Sequence, residues 1–202
     1  MSLPATELAR LRHRAFRLEY ATMTWMVAEA AIAITAGVIT ASIALVGFGL
    51  DSVIELFSAG VVIWQLRGEI AGQDRQTRAI RLIGVTFFAL AAYLAAESIR
   101  DLAAGARPGH SVPGLAVAAA ALVVMPALAM AKRRTGQALG NGTLVADSAE
   151  TALCALTAAA ALLGVALSTG LGWWWADPAG ALVIAVLAAR EGIESWHEEQ
   201  AP

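Results

Sequence analysis

The chain is short of charge, has almost no cysteine, and has no histidine in its apolar stretches. Only 15% of its 202 residues are charged, 58% are hydrophobic, and the mean hydropathy is +0.66. A soluble domain of this length carries about 25% charged residues. That class is excluded, and a polytopic membrane protein is indicated. A net charge of −2 gives no sign of nucleic-acid binding. The single cysteine, Cys154, rules out an intrachain disulfide and any CxxC redox or metal motif. The opening stretch to Arg17 is polar and basic, and the apolar run after it is too long for a cleaved signal peptide and lacks a cleavage site. All three histidines (His13, His110, His197) fall outside the apolar runs, and no HExxH or paired GxGD-like pattern occurs. An enzyme is therefore not expected.

What is there is a series of long apolar segments. A crossing helix needs about 20 of them in sequence. From Tyr20 to Leu66 the only charges are Glu29, Asp51 and Glu55, a stretch that suits two crossings with a tight turn near Ile39–Ser42. The expected fold is all-α, with six transmembrane helices at about 20–39, 42–66, 82–99, 112–131, 142–167 and 174–189. The charged loop Arg67–Arg81 follows the second crossing, Gly105, Pro108, Gly109 and Pro113 mark the turn before the fourth, and Lys132-Arg133-Arg134 end that crossing. Of the 14 Lys and Arg, all but Arg100 and Arg107 lie in segments on one side, which puts both termini in the cytoplasm. Trp173, Trp174 and Trp175 are expected at the outer interface, and Trp25, Trp64 and Trp196 nearer the inner one. The domain reading is a basic cytoplasmic segment at 1–19, a transport domain at 20–190 and a short cytoplasmic stub at 191–202, with no soluble domain after it.

Inside those apolar stretches sit Glu29, Asp51, Glu55, Glu97, Asp147, Glu150 and Asp177, and no Lys, Arg or His is read as lying among them. A carboxylate in a bilayer core is costly and is retained for ions, protons or substrate. Without basic partners, the counter-charge has to be a proton or a metal cation, so the expected function is cation transport. At about 100° per residue, Asp51 and Glu55 fall on one helix face, one turn and about 40° apart. Asp147, Glu150 and Cys154 fall within about 60° on another helix. Two such ladders at mid-depth, with Glu29 nearby, can bring four oxygen or sulfur donors together, as a tetrahedral zinc-sized dication requires. For Glu97 and Asp177, near helix ends, a structural role weighs at least as much; Asp177-Pro178 reads as an N-cap followed by proline at the first helical position. The runs Ala116–Ala121 and Ala158–Ala161 read as close helix packing.

The stretch Ser42–Glu55, with its acid-xxx-acid pattern, resembles the second transmembrane helix of the cation diffusion facilitators. Leu144–Cys154 resembles their fifth, and Trp175–Gly180 through Arg190-Glu191-Gly192 their sixth and its exit. Members export divalent metals, most often zinc, from the cytoplasm in exchange for protons, usually as homodimers. The resemblance implies metal ligands at Asp51 and Glu55. Glu150 and Cys154 fall where the family typically has the His and Asp of an HxxxD pattern, so three carboxylates and a thiol would form a site without imidazole. Glu29 and Asp147 are candidate replacements for Cys154. Zinc is the first expectation, with manganese, iron(II) and cadmium as others; no prosthetic group is implied. A plasma (inner) membrane location is expected, with the lipid bilayer, metal and protons as partners and a homodimer as the assembly. The short form resembles a vesicular zinc-transporter branch that lacks the cytoplasmic metal-binding domain. The alternatives are a non-transporting membrane metal sensor or assembly partner, a proton-coupled carrier of another cation, and an intramembrane protease using Asp51 with Glu150 or Asp147.

Overall fold

The structure, a computed structural model, describes residues 5–66 and 73–198, with side chains except at 5, 65–83, 143 and 195–198. The described residues form helices and turns: α1 (Ala5–Thr40), α2 (Ile43–Leu66), α3 (Gln73–Ala104), α4 (Val112–Leu139), α5 (Gly142–Leu171) and α6 (Ala176–Glu198). Each helix takes up all or most of one predicted crossing, and most run well past it. Apolar counting finds only the lipid-matched length, whereas Arg, Lys, Glu and Gln continue a helix readily into water. Thus α1 takes in the basic N-terminal segment, and α4 passes through Lys132-Arg133-Arg134 to Leu139. Among the described residues, α1, α2, α4 and α5 are long and apolar enough to cross a membrane. The part of the predicted charged loop at 67–72, the last residues of the stub at 199–202 and the side chain of Trp196 lie outside the described residues.

Local signals set the helix ends. Ser111 caps α4 by accepting the Gly114 N–H at 3.1 Å, and Pro113 sits in its first turn, where no N–H is needed. Asn141 caps α5 by accepting the Leu144 N–H at 2.9 Å. Gly140, at φ 62°, closes α4 in the left-handed region that a residue without Cβ enters at no cost. The predicted turn near Ile39–Ser42 is made by Ala41 at φ 54°, with the Ser42 N–H donating to the Gly37 carbonyl at 2.9 Å.

The helices α1 and α2, α3 and α6, and α4 and α5 pair side by side, and α2 packs against α5 and α6 through the middle of the bundle. Phe48, Leu45, Met26, Leu94, Met125 and Ile184 are fully buried there. Val38, Ile39, Phe57, Val123, Leu163 and Val186 face outward and exposed, an apolar surface suited to lipid. Gly180 of α6 lies so close to α5 that a Cβ would stand 2.7 Å from the Ala160 carbonyl oxygen; small residues allow this approach.

Asp177 corrects one expectation. α6 already begins at Ala176, so Asp177 lies in its first turn rather than capping it. Its carboxylate instead caps α2: Oδ1 accepts from the Ser42 hydroxyl at 2.5 Å, and Oδ2 from the Ile43 and Ala44 N–H groups at 3.0 and 3.4 Å. Ser42 Oγ in turn accepts the Leu45 N–H at 3.2 Å. Replacing Asp177 by Ala strands these buried donors and should destabilise the fold by about 1–3 kcal/mol. A lowered thermal unfolding midpoint in detergent checks this, and an unchanged midpoint rules out the cap as a fold determinant.

Candidate metal centre

Asp51 and Glu55 stand one turn apart on α2, and both turn inward because that face packs on α5. Cys154 of α5 meets them. One ligand atom from each of Asp51, Glu55 and Cys154 lies within 4.8 Å of the others, and all three side chains are buried. Atoms this close can converge on one ion. They line a cavity of about 10 Å³, roughly the space of one water molecule. Glu150, one turn from Cys154 along α5, lines the same cavity, as does Phe87.

Each carboxylate around this point has a different set of partners. Asp51 Oδ2 accepts from the Thr157 hydroxyl at 2.9 Å. Glu150 Oε2 accepts from the Ser58 hydroxyl at 2.5 Å. Glu29 is held at both oxygens: Oε2 accepts from Trp25 Nε1 and Oε1 from the Ser52 hydroxyl, each at 2.5 Å. The Cys154 thiol points at the same Glu29 Oε1 from 3.6 Å. Glu55 differs from all of these, because among the described residues neither of its buried oxygens has a hydrogen-bond partner. A buried carboxylate with nothing to accept from is expensive unless a cation or a proton completes it.

The remaining acids lie elsewhere. Asp147 shares a face of α5 with Glu150, as the spacing predicts, but it does not join the cluster. Its Oδ2 is 2.5 Å from the ammonium of Lys132, a side chain with no exposed surface. Glu97 pairs with Arg100 at 2.5 Å. The premise that no basic residue accompanies these acids is therefore wrong for both. Hydropathy ends the fourth crossing at Lys132 and leaves Arg100 beyond the third, but both helices continue through them. The sequence reading also missed the hydroxyl and indole donors Ser52, Ser58, Thr157 and Trp25. Ser52 and Ser58 lie one and three residues from a ligand candidate, and Trp25 is one turn before Glu29, which is the available signal for them.

A helical bundle with a dry, lipid-compatible exterior and a mid-bundle group of carboxylates and a thiol defines a class, membrane proteins that handle cations. Residues 79–197 match the family model for the cation efflux transmembrane domain. That is more than half of the chain, which therefore belongs to this family of divalent-cation transporters and is an integral membrane protein. The match covers Glu150 and Cys154 on α5, whereas Asp51 and Glu55 on α2 lie before it. None of the curated proteins compared with the chain matches it.

Because Cys154 is the single cysteine and is 1% exposed, thiol chemistry reads the centre directly. A bulky maleimide should label it slowly in the folded protein and rapidly after denaturation. Equal rates in the two states would show that the centre is open to solvent.

Proposed function

We propose that the chain exports a divalent metal cation, zinc foremost, from the cytoplasm in exchange for protons by alternating access. Asp51, Glu55 and Cys154 bind the metal, and Glu150, in the same cavity, supplies a fourth donor. Glu29, held by Trp25 and Ser52, orients the Cys154 thiol. Six crossings with both termini cytoplasmic carry residues 20–190 as the transport domain, flanked by the basic segment 1–19 and the stub 191–202. The homodimeric assembly and the plasma-membrane location rest on the family likeness alone.

One observation carries this reading. Among the described residues, Glu55 keeps two buried oxygens without a hydrogen-bond partner, within reach of Asp51 and Cys154. A static structural role would have recruited donors, as it has for Asp177. The donor set of carboxylates with one thiol suits zinc, and manganese or iron(II) where the sulfur does not bind. Metal binding displaces protons from these groups, so the two compete for one site. The side with more protons discharges the metal, and the side with fewer loads it.

The test is metal uptake into proteoliposomes under an imposed pH gradient with the membrane potential clamped, comparing zinc, manganese, iron(II) and cadmium. Gradient-driven flux of one metal is expected. Flux indifferent to the gradient removes the proton exchange, and no flux despite metal-dependent thermal stabilisation indicates a sensor instead.

Asp51→Asn and Glu55→Gln should each lower flux by more than the ~10–100-fold typical of losing an outer-shell partner, with membrane insertion intact. Wild-type flux in either folded variant removes that residue from the site. Cys154→Ser should shift preference from zinc and cadmium toward manganese, read as a change in the ratio of uptake rates.

A further inference from the structure

Lys132 is the only lysine in the sequence; every other basic side chain of the Lys and Arg class is arginine. It is fully buried, between α1, α4 and α5. Its ammonium has three oxygen neighbours: Asp147 Oδ2 at 2.5 Å, Glu19 Oε2 at 3.2 Å and Thr151 Oγ1 at 3.3 Å. Glu19 also has no exposed surface, and its other oxygen, Oε1, is buried without a hydrogen-bond partner among the described residues. Two carboxyl groups thus face one ammonium, with one oxygen left over among the described residues.

We propose that Glu19, Asp147 and Thr151 form a second cation site, separate from the central cluster, which Lys132 fills with a tethered ammonium until a divalent cation displaces it. The oxygen shell is already assembled around a positive charge. A dication would balance the two carboxylates fully, where the ammonium balances one. The choice of residue fits displacement: lysine carries a compact charge on a flexible stem, whereas arginine, used everywhere else, is a rigid fork suited to staying in place. An all-oxygen shell favours harder ions such as manganese over thiophilic ones.

The position gives the site a use. Asp147 and Thr151 flank Glu150 on α5, and Asp147 and Cys154 are separated by about 10 Å along the axis at about 1.5 Å per residue. A cation released there is one short step from the central cavity. This role as an entry station rests on the export reading above; the site itself does not.

The single lysine allows a test in the unmodified full-length chain, purified in detergent. Acetic anhydride labelling of Lys132, followed by mass spectrometry of its peptide, reports whether the ammonium has left its carboxylates. Labelling should be slow without metal and rise roughly tenfold or more at saturating Mn²⁺. The rise should persist in Asp51→Asn/Glu55→Gln, where the central cluster is disabled, and disappear in Glu19→Gln, which retains the Lys132–Asp147 pair. Folding of each variant is checked by its helical circular dichroism. Lys132 that stays unlabelled at every Mn²⁺ concentration overturns the proposal. So does a rise that vanishes with the central cluster, since that reports only a conformational change. A metal-dependent rise in a protein that shows no flux in proteoliposomes would support the second site while removing the transport reading.

Discussion

A carboxylate held in an apolar interior has to be completed by a donor, a counter-charge, a proton or a metal ion, and this requirement organises the bundle. Glu29 takes an indole and a hydroxyl, Asp51 and Glu150 take hydroxyls, Asp147 takes the lone lysine, and Asp177 takes a helix N-terminus. Nearly all these partners come from another helix, so each acid also fixes a helix–helix register. Among the described residues, Glu55 is left without a hydrogen-bonding partner beside a thiol and a second carboxylate. The ties around it hold α1, α2 and α5 in the arrangement that keeps its place open.

The acids divide by depth into two chemical tasks. Asp177 joins the start of α6 to the start of α2, at the end of the bundle where Gly109 N–H also donates to the Thr40 carbonyl at 2.7 Å. That end is tied by backbone and capping interactions. Toward the other end, Glu19, Lys132 and Asp147 tie α1, α4 and α5 through a buried ion-pair network. A buried ion pair contributes little net stability, because desolvation offsets most of the attraction. Its retention in a membrane bundle therefore fits a contact that has to break and re-form better than one needed to hold the fold. The close approach of α5 and α6 at Gly180, by contrast, is a packing contact without charge.

Much of the centre was legible from residue spacing. The facing pair Asp51 and Glu55, the ladder on α5 with Glu150 and Cys154, and the tight turn at Ala41 all follow from a period of about 3.6 residues and from turn chemistry. The same arithmetic also placed Asp147 with Glu150, and on the helix surface it does lie there. Periodicity states which residues share a face, however, and not which neighbour that face meets at each level. Asp147 meets Lys132 because α4 runs a further two turns past its apolar limit, a continuation that hydropathy cannot register.

The sequence by itself determined the membrane class, the number and order of the helices and the acidic faces they carry, because composition and helical period are local properties. Which acids converge, which are neutralised and which one is left open was decided only by the tertiary structure. Those outcomes depend on the rotation and depth of one helix against another, and these are set by packing between residues far apart in the chain: Ser42 with Asp177, Asp51 with Thr157, and Glu19 with Lys132.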